Sequence, residues 1–228
     1  MNLVITGANR GIGLELVRQY LERGDSVHAG VRDPASAAEL AALVASSGGR
    51  LQLGACEVSD EASVRRFAAG VKGPVHLLLN NAGMRQRPDQ LEDLDAAATL
   101  RTFQVNALGP LLLTRALLPQ LRQAKGAKVA NLGSGLGSIA DNASGGVYGY
   151  RMSKAALGMA TRSLAQDLKA DGILAVVLSP GWVKTDMGGP EAPLTVAQSA
   201  AGLVSFLDAL TPQQSGGFFD YRGEPIAW

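Results

Sequence analysis

Tyr150 and Lys154 stand four residues apart in the run Tyr148-Gly149-Tyr150-Arg151-Met152-Ser153-Lys154, which leads into a long helical pattern. Side chains at that spacing share one helix face. A free phenol, with a pKa of about 10, exchanges its proton reluctantly near neutrality. A unit positive charge about 4 Å away, at an effective dielectric near 20, favours the phenolate by on the order of 4 kcal/mol, or about three pKa units. The pair therefore has the makings of a general acid/base. Upstream, the run Asn131-Leu132-Gly133-Ser134 closes a β-rich segment and offers a hydroxyl able to hold a substrate oxygen. A Tyr-x-x-x-Lys spacing alone is frequent on helix surfaces, so the weight lies in its company.

A second constellation sits near the start, where Thr6-Gly7-Ala8-Asn9-Arg10-Gly11-Ile12-Gly13 separates a β-rich run from the helical pattern Leu14 to Arg23. Gly7 permits a tight turn, Gly11 leaves room for phosphates near a helix N-terminus, and Gly13 lets that helix pack on a sheet. Asn80-Asn81-Ala82-Gly83 is a further glycine element at the end of Val75 to Leu79. The end of the second β-rich run reads Gly30-Val31-Arg32-Asp33-Pro34. An acidic residue there reads the free ribose hydroxyl of NAD, and an arginine reads the 2′-phosphate of NADP. Asp33 has an adequate task as N-cap of a helix beginning at Pro34. Arg32 is left to meet the phosphate. Arg10 adds a second guanidinium with no competing carboxylate in view, so the expectation is NADP(H) in preference to NAD(H).

The elements that must position these residues alternate along the chain. Leu3 to Thr6, Ser26 to Val31, Leu51 to Leu53, Val75 to Leu79, Lys128 to Asn131 and Ile173 to Leu178 read as strands. Leu14 to Arg23, Ala35 to Ser46, Ser63 to Ala69 and Leu100 to Gln123 read as crossover helices. This is the pattern of an α/β fold, a single-domain Rossmann-like doubly wound parallel sheet with helices on both faces, spanning residues 1–228. Ligands of such sheets lie beyond the carboxyl ends of the strands, where the glycine turn, Asn80–Gly83 and Ser134 all fall.

Composition narrows the function classes. Over 228 residues the net charge is +1, which gives no field to steer the chain to nucleic acid or an anionic membrane. No signal segment is visible, and runs such as Ile173 to Leu178 are too short to span a bilayer. The lone Cys56 has no disulfide partner, which fits a cytoplasmic protein. His28 and His76 both fall inside the expected strands, where a core or edge role is expected before metal binding.

Taken in order, TGANRGIG at Thr6 to Gly13, NNAG at Asn80 to Gly83, Asn106 within VNALGP, Ser134, YRMSK at Tyr150 to Lys154 and PGWVKT at Pro180 to Thr185 resemble the short-chain dehydrogenase/reductase family along essentially the whole chain. YGYRMSKAAL, PGWVKTDMGGPEAPLT and the ending DYRGEPIAW are similar to its C-factor and sniffer-type carbonyl reductases. The resemblance implies an oxidoreductase that moves a hydride between nicotinamide and a carbonyl or alcohol carbon. Tyr150 would exchange the proton, Ser134 would polarise the carbonyl, Lys154 would lower the tyrosine pKa and hold the nicotinamide ribose, and Asn106 would support a water in the proton path. It further implies cofactor contacts from Gly7, Asn9, Arg10, Gly11, Ile12, Gly13, Arg32, Glu57, Val58, Asn81, Ala82, Gly83, Tyr150, Lys154, Pro180, Gly181, Val183 and Thr185. No metal is implied.

Two departures stand out. Glu57 occupies a position where the family usually has Asp, and Asp141 to Gly146 lengthens the stretch between Ser134 and Tyr150, which makes Ser138 a rival serine. The short segment Trp182 to Leu194 is expected to choose a small aldehyde, ketone or quinone. Small residues Ala155, Ala156, Gly158 and Ala160 on the Tyr150 helix suggest close helix approach in a homodimer or homotetramer. The competing reading is a dinucleotide-binding regulatory or scaffold protein without turnover. A Rossmann-type methyltransferase would leave the tyrosine, lysine and serine without roles.

Overall fold

The computed structural model describes residues Met1–Trp228. Six strands fall where the periodicity put them: β1 (Asn2–Thr6), β2 (Ser26–Val31), β3 (Leu51–Ala55), β4 (Leu77–Asn80), β5 (Lys128–Leu132) and β6 (Leu174–Ser179). A seventh, β7 (Phe218–Asp220), was not expected; with three residues it is too short to show a period. All seven pair in parallel in the order β3-β2-β1-β4-β5-β6-β7. The order reverses between β1 and β4, so a crevice opens beyond their carboxyl ends.

Alternation along the strands fills both faces. Leu3, Ile5, Leu77, Leu79, Val176 and Leu178 join one buried cluster of 26 residues, roofed by the helices α1 (Gly11–Glu22), α2 (Ala38–Ser46) and α8 (Val196–Ala209). Val4, Leu78, Val129 and Ala175 join a cluster of 19 on the other face. That face carries α3 (Glu61–Gly70), α4 (Ala96–Phe103), α5 (Gly109–Ala116), α6 (Leu118–Gln123) and α7 (Tyr148–Asp167). No helix is long and apolar enough to cross a membrane. Burial pushes the Cys56 thiol up to about 12, which leaves it inert.

The single helix expected from Leu100 to Gln123 is in fact broken. It starts earlier, at Ala96, where the Asp95 side chain accepts the Ala98 N–H, and between α4 and α5 it widens into a π-turn over Gln104–Leu108. Pro110 supplies the reason, because it has no N–H to offer the carbonyl of Asn106 four residues earlier. Pro119 similarly marks the start of α6. The small-residue stripe on α7 also needs correction. A side chain at Gly158 would strike the ring of Trp228, so that glycine is covered by the chain's own C-terminus and is not free for a partner.

Buried amides key the helices to the sheet. Asn80 Nδ2 donates to Asn131 Oδ1 at 2.7 Å and lies 3.4 Å from Thr114 Oγ1 on α5. Asn131 Nδ2 donates to Thr161 Oγ1 on α7 at 2.8 Å. This chain of bonds runs through the buried interior, where each unmet donor is costly. We predict that Asn131→Ala lowers unfolding stability by about 3 kcal/mol, because both Asn80 and Thr161 lose a partner. Urea denaturation checks this, and a loss comparable to that of a surface substitution would refute it.

Candidate active site

The site begins with how α7 is started. Its N-terminal residue Val147 lies in the left-handed region (φ 53) and offers no side-chain cap. A β-branched residue there is strained, and it follows Gly145 and Gly146, both also at positive φ. The missing cap comes from a distant loop. Buried Asp89 accepts the N–H of Gly149 at 2.8 Å and of Tyr150 at 3.1 Å through its two carboxylate oxygens. A carboxylate at a helix N-terminus satisfies orphan donors and complements the dipole. Asp89 thus fixes the backbone of Tyr150 itself. Arg151 holds the lengthened segment by donating to Gly146 O and Ser144 Oγ.

Tyr150 and Lys154 are both buried. The Lys154 ammonium is 5.7 Å from the phenol ring centroid and donates to Leu132 O, at the end of β5, at 2.6 Å. Burial lowers its pKa to about 8. The phenol departs from expectation. Its pKa is raised, because burial outweighs the downward pull of the adjacent Ser134 side chain and of the Arg85 charge. Lys154 does not enter that balance. A phenol buried in this way stays protonated at neutral pH.

Of the two serines, Ser134 is the one beside the phenol. Its Oγ also accepts the Leu136 N–H at 3.2 Å. Ser138 is buried and accepts the Asp141 N–H, so it holds the following turn. Asn106 is wholly buried within the π-turn. Its side chain accepts from Met84 N and donates to Met84 O and Ser153 Oγ, which clamps the segment after Gly83 against α7. A Cβ placed on exposed Gly83 would lie 3.4 Å from Asn106 Oδ1 and 3.6 Å from Lys154 Nζ, so this glycine borders both side chains at ordinary contact distance.

The glycine turn converges on the same crevice. A side chain at Gly13 would collide with Gly7 O and the Asn81 amide, so α1 packs tightly against the sheet. Asn81 spends its amide on Thr6 O and Gly7 O, and the Ala82 N–H goes to Thr6 Oγ1, so this pair braces the turn. Gly11 (φ 54) faces Thr185, which brings the segment from Pro180 over the turn. Asn9 and Arg10 are exposed at its rim, while Ile12 is half-buried in the core. Val183 is buried and pairs with Leu194, closing the base of the loop after Gly181. Trp182 spans that loop by donating to Gly188 O at 2.7 Å.

Two cofactor expectations meet competing partners. Arg10 is engaged by Asp186 at 2.6 Å, both exposed, so a carboxylate does compete for it. Glu57 turns its carboxylate to Ser59, and Val58 packs against Gly109. Asp33 caps the turn at Pro34 by accepting the Ala35 N–H, as expected, and exposed Arg32 takes part in no ion pair.

Comparison with known proteins agrees with this geometry. A family model described as short chain dehydrogenase matches residues 1–193. The chain belongs to the short-chain dehydrogenase family. It is 51% identical over 166 residues to the C-signal of Myxococcus xanthus, an alignment covering 72% of this chain and all of that protein. It superposes on the carbonyl reductase Sniffer of D. melanogaster with a TM-score of 0.96 and 35% identity, covering 100% of this chain and 99% of the other. An NADPH-bound carbonyl reductase from chicken fatty liver gives 0.94 and 36% over 100% and 98%. The C-factor and sniffer-like grouping expected from the motifs is thereby met.

Within this short-chain dehydrogenase, sequence reading missed Asp89, Met84 and Arg85. Asp89 lies in an irregular loop and acts through backbone N–H groups, which leave no mark in a motif. Lowering Lys154 from 10.5 to about 8 corresponds to roughly 3 kcal/mol of burial cost. Lys154→Met is therefore expected to raise the unfolding midpoint while abolishing activity, since it fills the same space without the charge. A drop in thermal stability of that variant would contradict the assignment.

Proposed function

We propose that this oxidoreductase is an NADP(H)-dependent carbonyl reductase in which Tyr150 is the general acid/base. The observation that carries the reading is the buried phenol, kept protonated at neutral pH, beside Ser134 and on the same face as Lys154. Donation from such a phenol suits reduction of an aldehyde, ketone or quinone. Ser134 orients and polarises the carbonyl oxygen, and Tyr150 delivers its proton to that oxygen as negative charge develops there. Lys154, near neutral-range pKa, hands a proton back toward the tyrosine through the region that Asn106 keeps ordered.

The residues present fit a dinucleotide. Gly7, Gly11 and Gly13 leave backbone bare at the helix N-terminus, Gly83 borders Asn106 and Lys154, and Arg32 is an unengaged guanidinium where a 2′-phosphate is read. When bound, the nicotinamide supplies the hydride. The NADPH carried by the chicken carbonyl reductase supports the same preference for this chain. Val183 and Thr185, with Pro180 and Gly181, would border the nicotinamide end, and Arg10 would serve the phosphate by leaving Asp186. The protein works in the cytoplasm on a small molecule, and it self-associates through the exposed apolar faces of α4 and α7, which present Leu100, Phe103, Met152 and Met159.

The test is consumption of NADPH over a panel of aldehydes, ketones and quinones. Turnover is expected with NADPH above NADH, falling as pH rises through about 8 where Lys154 loses its charge. Arg32→Ala should weaken NADPH binding about tenfold or more, with NADH little changed. Cofactor binding without turnover of any member would refute the reductase reading in favour of a silent binder. Equal losses for the two cofactors would refute the phosphate role of Arg32.

A further inference from the structure

Arg85 is a cation at the mouth of the site that the acid/base scheme leaves without a task. Its guanidinium carbon lies 5.9 Å from the Tyr150 ring centroid, close to the 5.7 Å of the Lys154 ammonium from the same ring. Of the other arginines around the crevice, Arg32 at the end of β2 is likewise without an ion pair, and three are engaged. Arg10 is paired with Asp186, Arg87 donates to Met187 O, and Arg151 is tied to Gly146, Leu136 and Ser144. Arg85 enters no salt bridge, and its Nε is buried with no hydrogen-bond partner. The nearby carboxylate of Asp89 is already spent on the N–H groups of Gly149 and Tyr150.

A buried guanidinium N–H without an acceptor is costly, and a planar fork of donors matches a carboxylate better than any neutral group. The backbone holding it is firm, because Asn106 clamps the adjacent Met84 at both N–H and C=O with 2.8 Å bonds. The guanidinium stands beside the phenol, its carbon 5.9 Å from the ring centroid, on a backbone anchored one residue earlier. An anion satisfying Arg85 must therefore belong to a molecule whose other end reaches Tyr150 and Ser134.

We propose that Arg85 is the anion-recognition residue of the substrate pocket, and that the favoured substrates are short oxo acids whose carboxylate pairs with Arg85 while the carbonyl meets Tyr150 and Ser134. This rests on the reductase reading for the identity of the carbonyl end. The carboxylate end stands on the unengaged guanidinium alone. A neutral ketone of the same shape leaves Arg85 without an acceptor and binds more weakly.

The experiment is calorimetric titration of the full-length protein, loaded with NADP⁺, with 3-oxobutyrate and with its methyl ester. The acid is expected to bind about tenfold or more tightly than the ester, the size of a charge-assisted hydrogen bond. Arg85→Gln should erase that preference and Arg85→Lys should keep part of it, with circular dichroism reporting that both variants are folded. Equal binding of acid and ester by the wild-type protein would overturn the proposal, as would an equal loss for both ligands in Arg85→Gln, which would assign Arg85 to Tyr150 instead of to substrate. Should NADP⁺ fail to load, the cofactor reading falls, and the same titration of the unloaded protein still decides the role of Arg85. Acid preference without any NADPH-driven turnover would uphold the anion site and sink the reductase reading.

Discussion

An ammonium with no carboxylate partner sits at the carboxyl end of the sheet, and much of the surrounding structure is arranged to hold it there. Lys154 is buried and has the carbonyl of Leu132 as its hydrogen-bond acceptor. Burial of that kind disfavours the charged form, which is why its pKa drops to about 8. A core built for stability alone would place a methionine or leucine at this position. The price is accepted at the one place where β5, α7 and Gly83 meet.

Holding a lysine and a tyrosine on one face is the easy part, since helical spacing does it. Aiming that face at the strand ends is harder, and two devices outside the helix achieve it. The amide ladder from Asn80 through Asn131 to Thr161 fixes the register of α7 along the sheet. Asp89 then fixes its first turn from the loop between β4 and α4, next to a left-handed entry at Gly145, Gly146 and Val147. The clamp of Asn106 on Met84 joins that same loop segment to the π-turn. Strain at Val147 and the widened turn at Asn106 both lie within the site, where local irregularity positions side chains that a regular helix would not.

Alternating strand and helix patterns made the parallel sheet legible, and β2 begins and ends at the residues read from its periodicity. Asp33 was legible as a cap because the Asp-Pro pair has a local cause. What stayed hidden depends on distant partners or on the balance of opposing effects. The break in the helix at Asn106 needed Pro110 to be read as the loss of one specific hydrogen bond. The competition of Asp186 for Arg10 joins residues far apart in sequence, and spacing gave no hint of it. The direction of the tyrosine shift turns on how deeply the phenol is buried, which spacing along a helix does not reveal.

The central claim is that one phenolic O–H, held protonated in a buried pocket, gives its proton to the substrate oxygen. Single-turnover reduction by Tyr150→Phe, measured at saturating NADPH with a carbonyl substrate the wild-type protein accepts, addresses it most directly. The substitution removes the hydroxyl and leaves the ring within 6 Å of both the Arg85 guanidinium and the Lys154 ammonium, at 5.9 Å and 5.7 Å. The account predicts a fall in the chemical rate by a factor on the order of 10² to 10⁴, with NADPH affinity and melting temperature kept near those of the wild type. A rate close to the wild-type value would contradict it and move the proton donor to another group.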